Sequence, residues 1–408
     1  MTVTSRAGSS QTATLPAPPA GLTLFIYALA CGVMVGNLYV CQPLLDEIAR
    51  SFQVPERVAG LVSVAAQLGY GLGILLLVPL ADIARPRRLL RWLIVATSAG
   101  LLVAAAAPTI AVLIAASLAF AAATVVPQIL VPLASAMVAA ERRGRVIATL
   151  QTGFVLGILL SRTISGAIAY AAGSWRAPFL FAAVATGVLS AILPRYLPIA
   201  APAQSRSYGA LLRSLPPLLR LPPLRMSAAL GFCLFGAFSA FWSTLAFHLA
   251  GPPFGLGVAA TGLFGLWGAP GAILAPVMGR LADRIGPWWI NAFSLACGAL
   301  AFALAGLVGR GSLWALVGAV NLLDLGLQSG QIANQTRIFK LGDDIRARLN
   351  TVYMVGVFGG GAVGSLAGTL AWHAAGWAGV CGLAGGLVAV AAVGLVGARH
   401  SAGRPGAA

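Results

Sequence analysis

The sequence predicts an all-α polytopic membrane protein of twelve transmembrane helices, arranged as two six-helix bundles related by pseudo-symmetry. Three observations lead there. Of the 408 residues, 59% are hydrophobic and 9% charged, with a mean hydropathy of +0.92, whereas a soluble domain averages about 25% charged residues. The apolar residues gather into runs of about 20 or more, the length a helix needs to cross the hydrocarbon core. Finally, the chain repeats itself at an offset of about half its length.

Residues 1–20, rich in Ser, Thr, Ala and Pro, are too polar to span and lack a basic start and cleavage site, so they read as a disordered tail. Spans are then expected at 22–45, 58–81, 89–107, 110–138, 146–172, 177–198, 226–250, 257–279, 288–308, 313–336, 349–373 and 376–397. In lipid such runs satisfy their backbone groups as helices, and the absence of two-residue alternation excludes a β-barrel. The longest polar interruption, 199–225, is rich in Pro and Arg and reads as a linker between an N-terminal bundle (21–198) and a C-terminal bundle (226–398), with 399–408 as a tail.

Orientation follows from the connections, since Arg and Lys accumulate on the cytoplasmic side. With the N-terminus inside, the outer connections hold only Arg50, Arg57, Arg176 and Arg310. Setting those four and the intramembrane Arg162 apart from the 26 basic residues leaves 21 inside. Both termini are thus expected in the cytoplasm, and the net charge of +17 reflects topology rather than a nucleic-acid surface. The five cysteines fall singly in apolar runs and read as packing residues, not disulfides or metal ligands. Trp175, Trp288, Trp289 and Trp377 read as interfacial anchors, as do His248 and His373 near outer helix ends.

The repeat pairs Val78-Pro-Leu-Ala-Asp82 with Gly279-Arg-Leu-Ala-Asp283 and Pro86 with Pro287. Further along, Arg145 pairs with Arg348, Gly153 with Gly356, Gly157 with Gly360 and Gly173 with Gly376. Near-constant offsets imply duplicated six-helix units of the same topology. The loop after the eighth span, Gly279-Arg-Leu-Ala-Asp-Arg-Ile-Gly286, matches the signature G-x-L-A-D-R-x-G, and the loop after the second keeps Asp82, Arg87 and Arg88 of its own copy. Together with Asn37-Leu-Tyr39 and Gln42-Pro-Leu-Leu45 on the first span, Arg162-Thr-Ile-Ser-Gly166 on the fifth, and Asn334-Gln-Thr-Arg337 before Arg348-Leu-Asn-Thr-Val-Tyr-Met354, these motifs resemble the major facilitator superfamily. The resemblance covers essentially the whole chain and is to poorly characterised bacterial members near the drug and sugar efflux branch. It implies a central cavity lined by spans 1, 4, 7 and 10. It further implies a cytoplasmic gate that draws on Asp82, Arg87, Arg88, Asp283, Arg284, Arg337 and Arg348.

Two ionisable residues lie well inside spans, where a charge costs about 2.5–3.5 kcal/mol on insertion scales. Asp324 sits about 16 Å into the tenth span at 1.5 Å per residue. Asn321, Asp324, Gln328, Gln331 and Gln335 recur at helical spacing and form one polar face. Asp324 is therefore a candidate proton-coupling residue; the competing reading is a carboxylate that only pins helices together. Arg162, on the fifth span, reads as an anion ligand, as a counter-ion to Asp324 or as a structural donor to carbonyls. Asn37, Gln42, Gln67, Gln128, Trp242, Asn321, Gln328 and Gln331 are candidate cavity residues, each weighed against a plain interhelical hydrogen bond.

No phosphate-binding loop is visible, so the energy source is read as an ion or solute gradient. The expected protein is a secondary transporter, not an enzyme and without a cofactor or bound metal. It is expected to act as a monomer in the bacterial inner membrane, exchanging a small organic compound for protons by alternating access. Proton-linked or facilitated uptake is the alternative. A membrane-embedded enzyme would need clustered acids, histidines or metal ligands, and a sensor an appended soluble domain.

Overall fold

A computed structural model describes residues 21–198, 207–270, 284–342 and 344–402, with Leu274, Val277, Met278 and Leu281. The described residues are helical and contain no strand. In chain order the helices are α1 (Gly21–Gly36), α2 (Leu45–Phe52), α3 (Leu61–Leu76), α4 (Pro86–Ala105), α5 (Ile110–Ala123), α6 (Val126–Ala136), α7 (Ala140–Ala172), α8 (Arg176–Tyr196), α9 (Tyr208–Arg213), α10 (Pro222–Ala250), α11 (Val258–Trp267), α12 (Pro287–Leu307), α13 (Leu313–Phe339) and α14 (Arg346–Ala402). The expected tail 1–20 lies outside the described residues, as does 199–206; the rest of the expected linker folds into α9, a short 3₁₀ turn and the start of α10.

Among the described residues eight helical segments are long and apolar enough to cross a membrane, and α1 and α11 are shorter apolar helices. The helix α13 has the length, but its Asn, Asp and Gln side chains lower its hydropathy. Two expected spans run together as α14, which breaks at Ala375 and Gly376, where φ reaches +57°. Gly173, between α7 and α8, holds φ +62° at the matching point of the first half. The repeat seen in the sequence therefore marks a tight reversal that only glycine adopts without strain.

The same repeat sets the helix pairing. Gly153 and Gly157 of α7 lie against the backbone of Ala28 and Gly32 on α1, so that a Cβ on either would overlap a carbonyl. In the second half Gly360 meets the Phe232 carbonyl of α10 in the same way, and Gly356 lies 3.3 Å, as an ideal Cβ, from Ala228. Small residues allow such close approach in lipid, where packing replaces the hydrophobic effect as the driving force.

One expectation needs correction. The first span does not continue to residue 45 as a single α-helix: α1 ends at Gly36, and Leu38, Tyr39 and Gln42 take i→i−3 bonds through to a 3₁₀ turn at Gln42–Leu44. Pro43 has no N–H to continue an α-ladder. The distorted stretch is tolerated because residues 34–45 are almost wholly buried in protein, and carbonyls within it accept side chains: Met34 from Thr124 at 2.7 Å and Val40 from Ser165 at 2.7 Å.

Replacing Gly157 or Gly360 by Ala forces the paired helices apart, at about 1–3 kcal/mol for overpacking. The thermal midpoint of the purified protein in detergent should fall for both variants. It should hold or rise for Gly386→Ala, where nothing lies within 4 Å of the added Cβ.

Candidate functional site

The site is built around Arg162. Its backbone sits where α7 meets α11: an ideal Cβ on Gly262 lies 2.7 Å from the Arg162 carbonyl, and one on Gly265 lies 3.0 Å from Arg162 Cβ. The side chain is 1% exposed. Arg162 Nε donates to Gln42 Oε1 at 2.7 Å, an acceptor that the 3₁₀ turn after α1 delivers. The guanidinium carbon lies 3.9 Å from the Trp242 ring centroid, 4.7 Å from that of Tyr39 and 5.7 Å from that of Phe238. Aromatic faces attract a cation, the more so when it is desolvated. Nη1 and Nη2 nevertheless have no hydrogen-bond partner, and neither do Gln42 Nε2 and Trp242 Nε1 beside them.

Asp324 supplies the opposite charge. It is 5% exposed on α13, with its carboxylate against Gly268 at the end of α11, where any Cβ would overlap Oδ2. Arg162 and Asp324 lie within electrostatic reach of each other, but no ion pair within 4 Å joins them among the described residues. Asp324 Oδ2 and Asn321 Oδ1, one turn away, are buried acceptors without a partner; Asn321 Nδ2 donates to the Val317 carbonyl at 2.9 Å.

The other predicted cavity residues divide. Gln42 and Trp242 contact Arg162 and Asp324 lies within its electrostatic reach, while Asn321, Gln328 and Gln331 continue the Asp324 face of α13, half-buried. Gln67 is buried on α3 with Oε1 unpartnered. Asn37 instead donates to Thr186 on α8 at 3.0 Å, and Gln128 to Tyr70 at 3.3 Å, both within the N-terminal half. Gln335 donates to Asn350 at 3.2 Å.

The halves meet in two antiparallel seams. Along α14 and α3 with the short helix that precedes it (Glu56–Ala59), Glu56 accepts from Trp372 Nε1, Gly60 abuts Thr369, Ser63 and Ser365 both bond to Ser243 of α10, and Tyr70 packs on Phe358 with centroids 4.5 Å apart. Along α7 and α11, Thr163 donates to the Gly262 carbonyl at 2.9 Å and an ideal Cβ on Gly166 lies 2.6 Å from the Val258 carbonyl. Both seams lie toward the arginine-poor end. Sequence reasoning missed them, because serines and glycines in an apolar run carry no sign of their partners.

At the arginine-rich end, Asp82, Arg88 and Arg284 are exposed and Arg87 and Arg348 half-buried. Arg337 donates to Ser227 and Asn334 within the C-terminal half. Asp283 lies outside the described residues. The aromatic anchors are corrected in part: Trp289 is 53% exposed, but Trp175 and Trp377 are core residues. Trp377 donates to the Ala305 carbonyl and stacks on His248, which is itself buried rather than interfacial, with centroids 4.1 Å apart.

Comparison with known proteins agrees with this geometry. Residues 23–341 match the family model described as Major Facilitator Superfamily. The chain is 39% identical over 368 residues to the Escherichia coli O157:H7 protein named "Uncharacterized transporter YgaY", covering 90% of this chain and 93% of that one. It is 37% identical over 369 residues to "Probable transporter SCO4007" of Streptomyces coelicolor, covering 90% and 85%. Among solved structures, the nucleoside transporter NupG superposes with a TM-score of 0.74 at 14% identity over 92% of this chain and 98% of that one. A peptide transporter, POT, does so at 0.73 and 14% over 94% and 95%. At such identity the likeness is one of fold. On the family model and the two bacterial relatives, the chain belongs to the Major Facilitator Superfamily.

Proposed function

We propose that this transporter exports a small organic compound in exchange for protons across the bacterial inner membrane, with Asp324 as the proton-carrying group. The observation that carries the reading is the placement of Asp324. It is a buried carboxylate with one oxygen unpartnered, on the polar face of α13, near Arg162 of the opposite half but not bonded to it. An intramembrane ionisable residue is costly and marks an ion or substrate path. A carboxyl group changes its charge by taking one proton, and the neutral form leaves Arg162 without its counter-charge.

The arginine-rich end is taken as cytoplasmic. The seams then close the outer face, and the conformation is the inward-facing member of an alternating pair. Opening requires the Glu56–Trp372, Ser63–Ser243 and Thr163–Gly262 contacts to part while the inner ends approach. In that state Asp82 and Asp283, with Arg87, Arg88, Arg284, Arg337 and Arg348, form the inner gate. The protein works as a monomer, since the site is assembled from the two halves of one chain.

In proteoliposomes carrying a pH gradient, added substrate should release a proton flux through the native protein. Asp324→Asn should reduce that flux to the level of empty vesicles; normal coupling in this variant would return Asp324 to a structural role. Ser63 Oγ and Ser243 Oγ lie 3.0 Å apart, so the double variant Ser63→Cys, Ser243→Cys, in a background lacking the five native cysteines, should form a disulfide across the seam. Transport should stop on oxidation and return on reduction. Full transport by the cross-linked protein would show that the seam does not open.

A further inference from the structure

The unpartnered atoms of the site are sorted by kind. Around the guanidinium they are all donors: Arg162 Nη1 and Nη2, Trp242 Nε1 and Gln42 Nε2. On α13 they are acceptors: Asp324 Oδ2 and Asn321 Oδ1. Buried polar groups are ordinarily satisfied, and leaving one unpaired is costly, the more so when it is charged. Five such atoms on Arg162, Gln42, Trp242 and Asp324, with Asn321 Oδ1 one turn along α13 from Asp324, are segregated by sign and describe the complement of a ligand.

The geometry of Arg162 narrows the anionic end. With Nε bonded to Gln42, the fork turns its Nη edge to the ligand, and two N–H groups side by side match the two oxygens of a carboxylate. Asp324 and Asn321 accept hydrogen bonds, and Asp324 brings a negative charge, so the other end of the ligand carries donors and a positive charge. The rings of Tyr39, Phe238 and Trp242 offer apolar surface beside the two.

We propose that the substrate is a small zwitterion, an amino-acid-like molecule whose carboxylate is held by Arg162 and whose ammonium group is held by Asp324. This rests on the reading of Asp324 as the proton site and deepens it. Ammonium and proton compete for one carboxylate, so a protein that binds one releases the other, and exchange follows without a separate coupling device.

The test uses the purified full-length protein in detergent and ligand sets built on one side chain at a time: the free amino acid, its amide (a cation), its N-acetyl derivative (an anion) and the doubly blocked neutral form. Thermal stabilisation and isothermal titration are read for uncharged side chains spanning leucine, phenylalanine, glutamine and serine. For at least one side chain the free amino acid should bind, with each blocked form weaker by about tenfold or more, the effect of losing a hydrogen bond to a charged group. Arg162→Lys should reduce the preference for the acid over the amide, and Asp324→Asn the preference for the free amine over the N-acetyl form. Because the comparison among ligands is made on the native protein, it does not depend on either variant folding. An amide that binds as well as its acid, or a panel in which no zwitterion binds, overturns the proposal. A neutral or cationic solute that drives Asp324-dependent proton flux overturns the zwitterion while leaving proton exchange intact. A zwitterion that binds as described but crosses without protons does the reverse.

Discussion

Burying the guanidinium of Arg162 within the membrane is the demand around which the centre of this molecule is arranged. A cation there is tolerable only if it is surrounded by groups that replace water. The chain meets part of that demand with Gln42 and with the faces of three aromatic rings. Delivering Gln42 requires the end of the first span to tighten into 3₁₀ turns, since an α-helical continuation from Gly36 would have no place for Pro43. Bringing α11 onto the Arg162 backbone requires Gly262 and Gly265, because a Cβ at either would press on α7. The distorted helix, the glycines and the aromatic cage are thus consequences of one charge.

The seams between the halves are strong enough to define a state and weak enough to leave it. Hydrogen bonds inside membrane proteins average about 0.6 kcal/mol each by double-mutant cycles. Three that cross between halves among the described residues, Glu56–Trp372, Ser63–Ser243 and Thr163–Gly262, together contribute only about 2 kcal/mol beyond packing. Moving a two-state equilibrium from 1:99 to 99:1 takes about 5.5 kcal/mol of differential binding. A ligand that satisfies several buried charged groups reaches that scale, so in the proposed exchange the seam is a threshold which substrate and proton together can cross.

Much of this was legible in the sequence, and the boundary of legibility is physical. Periodicity exposed the polar face of α13, and the half-chain repeat located the glycines that seat α7 on α1 and α14 on α10, because both signals are local or self-referential. Partnerships were not legible. Gln42 and Arg162 are 120 residues apart, and nothing in either neighbourhood names the other. Asn37 looks like a cavity residue until Thr186 is found against it, and Trp175 and Trp377 look like interfacial anchors until their neighbours cover them. The end of the first helix at Gly36 had a signal in Pro43, but hydropathy, which averages over a window, passed over it.

The division of charge between the halves gives the proposed exchange its logic. Arg162 belongs to the N-terminal half and Asp324 to the C-terminal half, so their attraction acts across the interface that must move. Unit charges 4–8 Å apart at an effective dielectric of about 20 attract by about 2–4 kcal/mol, comparable to the seam's hydrogen bonds. Protonating Asp324 removes that attraction, whereas a zwitterion bridging the two residues replaces it with two shorter contacts. On the proposed reading the bare ionised site is held by the attraction of its two charges, the protonated site gives that attraction up, and the loaded site replaces it. In that proposal the attraction across the interface holds the empty carrier in place and is released or replaced only when proton or substrate is bound, which is the condition for exchange without leak.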